Sequence, residues 1–266
     1  MSGWRRYRSN QLIAAGWAWI LPPVYSDADA AALYDVLNPW DPKHSPGDRF
    51  YHELVMAAGS VLDVGCGTGA MLACAREHGH RGRLAGLDPD RAALQRARCR
   101  ADVQWAEGTA AQARWEAEFD LATMTGHAFQ FLVTDHDLRA SLAAIRTALR
   151  GGGHFVFETR HPQARAWEGW HPANATDVTD AAGRALRVWH QVESVTQDVV
   201  TVTETTARPD GTVLRVDHAS LRFPAIKTLS VLLTGAGFTI ESQYGDWHRG
   251  PITSTSQEII TIARRL

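Results

Sequence analysis

The sequence predicts an α/β fold, a mostly parallel sheet covered by helices on both faces, and three observations carry that expectation. From Ser60 onward, apolar runs of strand length alternate with helical patterns, the rhythm of right-handed crossover units. The stretch VLDVGCGTG (61–69) sets three glycines at alternate positions where a strand passes into a helix. The short Gly- and Asp-bearing motifs fall at the carboxyl ends of such strands, where open sheets of this kind bind ligands.

The elements follow in order. Residues 61–65 read as a buried strand and 70–78 as the helix behind the glycines. A second strand covers 83–88, a helix 90–100, a third strand 103–108, a fourth 119–125 and a long helix 135–149. The glycines Gly151 to Gly153 are expected to stop that helix before a fifth strand at 154–160. After Pro162 the rhythm changes. Segments 185–195, 199–207 and 212–223 are rich in β-branched residues, with a Pro209-Asp210-Gly211 turn, and predict an antiparallel ribbon of about three strands. A helix at 225–236 ends at Gly237, and strands at 238–245 and 258–265 close the chain. A loop rather than a helix joins these last two, so one of them runs antiparallel to the rest.

At 266 residues the chain can bury a sizeable core. Its 45% hydrophobic and 21% charged residues are ordinary for a globular protein, and a net charge of −2 argues against a nucleic-acid or acidic-membrane partner. Cys66, Cys74 and Cys99 follow neither a disulfide framework nor a zinc spacing, which points to a reducing, cytoplasmic setting. Arg5 to Arg8 (RRYR), then a mostly apolar stretch to Pro23, imitate a secretory signal, but polar and aromatic interruptions favour an amphipathic lid helix or an over-called start. His78 and His80 share a short segment with no further ligand cluster in view, so no metal is expected.

The glycine stretch raises the question of its ligand. Dinucleotide loops space their glycines G-x-G-x-x-G and seat a pyrophosphate. Here Gly65, Gly67 and Gly69 are more tightly spaced and Asp63 stands two residues ahead. A carboxylate there repels an anion and suits a cation, and S-adenosylmethionine carries an ammonium and a sulfonium but no phosphate. Asp88 closes the next strand, where a ribose diol wants a two-oxygen acceptor, and Pro89 offers adenine an apolar face. The competing reading of Asp88 is a helix cap.

These residues resemble the class I S-adenosylmethionine-dependent methyltransferases. VLDVGCGTG, including Cys66, is similar to the family's first motif and GLDPD (86–90) to its second; EGTA (107–110) stands where the third usually reads Gly-Asp-Ala. FDLATMTGHAFQFL (119–132) and LRGGGHFVFET (149–159) resemble the fourth- and fifth-strand segments. The resemblance spans about residues 33–266 and is strongest to the small-molecule branch with an antiparallel insertion. It implies a Rossmann-like sheet of seven strands, mostly parallel with one antiparallel strand, and S-adenosylhomocysteine as co-product. It also implies an N-terminal helical lid (1–59), a cofactor-binding core (60–163), an antiparallel insertion capping the substrate (164–223), and the last helix and closing strands (224–266). The cofactor residues implied are Asp63, Gly65, Cys66, Gly67, Gly69, Asp88, Pro89, Gly108, Thr109, Ala110 and Met124, with Tyr34 and Tyr51 from the lid. Thr109 departs from the Asp that usually holds the adenine amino group.

Methyl transfer is an in-line displacement in which alignment and exclusion of water do much of the work. His127, after the fourth strand, is the first candidate base. A sulfonium about 5 Å away opposes an imidazolium by roughly 3 kcal/mol and leaves the imidazole able to accept a proton. His161 is the second candidate. Glu158 either binds an amine acceptor or is buried and paired. Trp167, Trp170, Trp189 and Trp247, with Trp17, Trp19 and Trp40 upstream, supply aromatic walls for an apolar or cationic acceptor or simply pack. The expected activity is N- or O-methylation of a small molecule by a monomer or homodimer. RNA methylation is the alternative, weakened by Thr123-Met124-Thr125-Gly126 where base-amine enzymes resemble Asn-Pro-Pro-Tyr; a non-catalytic S-adenosylmethionine-binding protein is another.

Overall fold

The computed structural model describes residues 25–266, and the basic and apolar stretch at 5–23, with Trp17 and Trp19, lies outside them. Among the described residues, two helices precede the sheet. In α1 (Asp27–Leu37) the Ser26 hydroxyl accepts from Asp29 N–H while the Asp29 carboxylate reaches back to Ser26, a capping box. In α2 (Pro46–Ala57) Ser45 caps the N-terminus and proline takes the first turn, where its missing N–H costs nothing.

The alternating core follows: β1 (Ser60–Val64), α3 (Ala70–Glu77), β2 (Arg83–Asp88), α4 (Arg91–Ala97), β3 (Gln104–Glu107), β4 (Phe119–Met124), α5 (Asp135–Ala148) and β5 (Leu149–Arg160). An antiparallel segment of β6 (Thr176–Thr179), β7 (Ala185–Thr196), β8 (Val199–Ala207) and β9 (Val213–Arg222) comes next, then α6 (Ile226–Gly235), β10 (Phe238–Tyr244) and β11 (Glu258–Arg265).

The main sheet has seven strands in the order β10-β11-β5-β4-β1-β2-β3. Its first five strands in sequence pair in parallel, and β11 runs antiparallel to both neighbours, as the loop connection requires. This is the Rossmann-like sheet, mostly parallel with one antiparallel strand, that the sequence predicts. The order reverses at β1, which lies between β2 and β4, so the crevice opens above Asp63.

Two apolar layers hold the sheet. One face packs α5 and α6 around Phe129, Phe155 and Phe157, with Phe129 and Phe157 stacked at 4.1 Å. On the other, α2 and α3 bury Phe50, Val55, Met71 and Leu72 against Val61 and Leu84. Each fully buried aliphatic or aromatic side chain contributes about 1.5–3 kcal/mol. The smaller sheet is attached through α1, whose Ala30 and Leu33, with Tyr25, bury themselves against Leu186, Val188 and Leu214.

Two expectations are corrected. The long helix ends at Ala148 and β5 begins at once at Leu149. Gly151 to Gly153 lie inside that strand, where pairing with β4 jumps from Phe119↔Leu149 to Leu121↔His154, so they accommodate a bulge rather than stop a helix. The ribbon has four strands, not three: β6 is too short and polar to announce itself, and pairing with β7 defines it.

Candidate active site

The loop after β1 is shaped by backbone alone. Gly65, Gly67 and Gly69 have φ of +75°, +56° and +80°, a region that favours glycine. Gly65 and Cys66 N–H donate to Leu87 C=O at 2.7 and 3.1 Å, anchoring the loop to β2. Gly69 has a second constraint, because a Cβ there would lie 2.3 Å from the Trp105 ring that rises from β3 beneath α3.

Acids flank the loop. Asp63 is fully buried at the end of β1 and accepts from the Thr123 hydroxyl at 3.0 Å. Asp88 accepts from Gly67 N–H at 2.6 Å through one oxygen and from Asp90 N–H at 2.8 Å through the other. The cap of α4 is Asp90, which accepts from Ala92 and Ala93, so the helix does not need Asp88 in that role.

Above the strand ends lies a cavity of about 460 Å³, lined by Tyr34 and Asp35 of α1, Trp40, Tyr51 of α2, Cys66 and Thr68 of the loop, His127, Glu158, Trp247 and Glu258, among others. A small hollow of about 30 Å³ lies beside Gly67, Thr68 and Asp88 under α1 and shares Tyr34 and Thr68 with the larger one. Asp35 closes α1 over the loop: it accepts from the Thr68 hydroxyl and, at 2.8 Å, from the Arg96 guanidinium of α4.

His127 occupies a left-handed conformation (φ +61°) after β4, and its N–H donates to Glu158 at 2.6 Å. Its ring is buried, with Nε2 2.9 Å from Glu258 and Nδ1 without a hydrogen-bond partner. The second Glu158 oxygen accepts from the Tyr51 hydroxyl. Burial, reinforced by Glu158, pushes the Tyr51 phenol well above its ordinary range and keeps it a donor. Glu158 is therefore buried and paired while still lining the cavity. Next in the chain, Arg160 lies outside the lining, donates to Gln130 at 3.0 Å and sits 5.4 Å from the Trp170 ring. Burial pushes its guanidinium down to about 10 against the opposing pull of Glu258 and Glu158.

Of the residues singled out in the sequence, Tyr34, Tyr51, Cys66, Gly67, Asp88, His127 and Glu158 line these cavities. Gly108 N–H donates to Asp88 C=O at 3.1 Å, and Thr109 and Ala110 open a short turn in which Thr109 N–H donates to Gln112, so this segment adjoins Asp88 without lining either cavity. Pro89 is half-buried and Met124 lies wholly in the core. His161, Trp170 and Trp189, expected at the acceptor, also stand outside the cavity. His161 Nδ1 accepts from Gln163 N–H at 3.1 Å and caps a turn, which occupies the nitrogen a base would use. Trp170 packs on Phe223 beneath the insertion, and Trp189 lies on β7 opposite Thr205. Glu258 and Asp35 were missed, because no local motif marks either of them. Cys74 and His78, read separately in the sequence, meet His52 on the outside of α2 and α3. His80 instead sets its Nε2 2.8 Å from Ala58 C=O.

The donor set fits S-adenosylmethionine. Asp88 offers a carboxylate for a diol, the glycines leave backbone where side chains would intrude, and the acids lining the cavity beyond suit an ammonium and a sulfonium.

Residues 61–153 match a family profile described as a methyltransferase domain. The chain is 25% identical over 268 residues to the cypemycin N-terminal methyltransferase of a Streptomyces species, covering 92% of this chain and 98% of that one. Among solved structures, it resembles an S-adenosylmethionine-dependent methyltransferase from Clostridium acetobutylicum (TM-score 0.70, 16% identity, 89% and 97% of the two chains). It also resembles S-adenosylmethionine-bound CalS10, an amino pentose methyltransferase from Micromonospora echinaspora (TM-score 0.62, 22% identity, 84% and 93%). Fold, glycine loop and profile together define an enzyme of the methyl-transferring class. The chain carries a methyltransferase domain at residues 61–153 and is an S-adenosylmethionine-dependent methyltransferase, with S-adenosylmethionine as its cofactor.

Proposed function

We propose that this enzyme methylates the nitrogen of an amine carried by a small molecule or a peptide N-terminus. The observation that carries the reading is the charge of the cavity wall: Asp35, Asp48, Glu158 and Glu258 line it, with neither lysine nor arginine among the described lining residues. Such a wall attracts an alkylammonium and repels a carboxylate or phenolate acceptor. The relatives agree in kind, since one is an N-terminal methyltransferase and another an amino pentose methyltransferase.

Bound cofactor supplies a methyl carbon activated by a sulfonium. The residues of this chain do the rest. Asp88, the Gly65–Gly69 backbone and Asp63 hold the nucleoside and amino-acid ends, and Tyr34 and Tyr51 close the lid side. The acidic wall draws in the acceptor, and its nitrogen must shed a proton before its lone pair can attack. Among the described residues, His127 suits that task. With Nε2–H donated to Glu258, Nδ1 keeps a lone pair and has no other partner. Glu258 orients the ring and balances the imidazolium as it forms, while Glu158 fixes the loop that carries the ring. Trp40 and Trp247 give the cavity apolar surface against which water is excluded.

The deciding experiment is a turnover screen of primary amines, amino sugars and short peptides against matched phenols and carboxylates, with products identified by mass spectrometry. Methylated amines are expected. Turnover confined to phenols or carboxylates would overturn the nitrogen assignment.

A further inference from the structure

The cluster on the outer side of α2 and α3 has no part in the chemistry above. Cys74 and His78 are four residues apart at the end of α3, and His52 comes from the facing turn of α2. Their donor atoms all lie within 4.8 Å of one another, with the two imidazole rings 4.8 Å apart; His78 Nδ1 is 3.3 Å from Cys74 Sγ and 2.9 Å from Cys74 C=O, a contact that metal binding through this nitrogen would replace. Two buried polar atoms at this spot make no conventional hydrogen bond to nitrogen or oxygen. One is His52 Nδ1, on a ring of the cluster; the other, Trp40 Nε1, has the Cys74 thiol as its neighbour and interacts with it.

We propose that His52, Cys74 and His78 form a binding site for a zinc-type transition-metal ion that clips α2 to α3. One thiolate and two imidazoles are a borderline-soft donor set, suited to zinc and ill-suited to magnesium or calcium. Metal–donor bonds of about 2.0 Å to nitrogen and 2.3 Å to sulfur place one sulfur and two nitrogens of a tetrahedron roughly 3.3–3.5 Å apart. A pair at the 4.8 Å limit of the cluster therefore needs about 1.5 Å of side-chain adjustment. His78 is exposed and gives the ion an entry path, and three protein donors leave the fourth position to water. The Trp40 N–H would donate to the coordinated thiolate, the kind of outer contact that orients metal ligands. Binding displaces the thiol proton into solvent and involves no redox change.

The consequence reaches the acceptor cavity. Tyr51, which holds Glu158, is the neighbour of His52 on α2, and Trp40 lines the cavity on its other face. An ion here would stiffen the wall that carries both. The proposal rests on side-chain placement alone and does not depend on the nature of the acceptor.

The test uses tag-free, full-length protein. Zinc content after dialysis against metal-free buffer and then zinc sulfate, read by mass spectrometry of the metal, is expected to reach one ion per chain in the wild type and fall to background in Cys74→Ser and His78→Ala. His78 is exposed, so its variant folds whatever becomes of the cysteine variant. Cobalt substitution is expected to give a thiolate-to-metal charge-transfer band that Cys74→Ser removes. Trp40→Phe should keep the band while weakening zinc by about 10–100-fold. Zinc should raise Tm in the wild type and not in His78→Ala. Sub-stoichiometric zinc, or equal retention by wild type and both variants, would mean adventitious metal only and overturn the site.

Discussion

Glu258 lies 2.9 Å from the Nε2 of His127, across 131 residues of sequence. Strand order makes that contact. β11 inserts antiparallel beside β5 and starts with Glu258 opposite Arg160, at the end of the sheet where the loop after β4 carries His127. The left-handed backbone of His127 costs about 1–2 kcal/mol in a residue with a Cβ, and the hydrogen bond from its N–H to buried Glu158 offsets that cost. The pair has the geometry of an oriented base, with one imidazole nitrogen on a carboxylate and the other unoccupied.

Removing the ring separates chemistry from binding. His127→Ala is expected to lower kcat by about 100- to 10,000-fold while leaving calorimetric affinity for S-adenosylhomocysteine within a factor of a few. Glu258→Gln keeps a hydrogen bond and loses the charge, so a fall of about tenfold in kcat is expected, with a displaced pH–rate profile. A variant at His127 that turns over at the wild-type rate would show that positioning alone suffices.

Asp88 is the strongest candidate for cofactor affinity, since both its oxygens are committed at the edge of the hollow beside Gly67. Asp88→Asn keeps the volume and loses the charged acceptor. The loss of about 1.5–3 kcal/mol of charge-assisted hydrogen bonding corresponds to a Kd weaker by roughly 10- to 150-fold. Titration calorimetry with S-adenosylhomocysteine measures this directly.

Gly69 answers to two constraints that a paired substitution can tell apart. Gly69→Ala meets both a φ of +80° and the Trp105 ring at 2.3 Å, and is expected to destabilise the protein by more than about 1 kcal/mol. Adding Trp105→Leu removes the clash but not the backbone strain, so Tm in the double variant should be recovered only in part, relative to Trp105→Leu alone.

The attachment of α1 to the insertion is sensitive to acid. Burial pushes the Asp180 carboxyl up, but the backbone N–H and guanidinium of Arg184 and the Tyr25 hydroxyl outweigh it and hold Asp180 below the ordinary carboxylate range. Asp29 is held down by the Ser26 hydroxyl and then by Arg184, against a burial effect of opposite sign. A carboxylate with a depressed folded-state pKa contributes stability that is fully present above its unfolded value, about 3.9 for Asp, and lost as pH falls through the folded value. Asp180→Asn should cost about 1–3 kcal/mol at neutral pH and flatten the dependence of stability on pH below about 4. Urea unfolding across that range, followed by tryptophan fluorescence, provides the check.

The parts of this enzyme that are local in the chain were legible in its sequence. Strand–helix alternation identified the parallel core because side-chain periodicity reports each element separately. Asp63, the glycines and Asp88 declared themselves because a turn of positive φ and an acid at a strand end are matters of a few consecutive residues. The glycines at 151–153 misled for the same reason: as a local signal they say that the backbone departs from regular geometry, not whether a helix ends or a strand bulges. Glu258 on His127, Asp35 on Thr68 and His52 beside Cys74 and His78 were decided only in three dimensions. Each joins elements whose separation in sequence says nothing of their distance, which strand order and helix packing set once apolar faces are buried against one another.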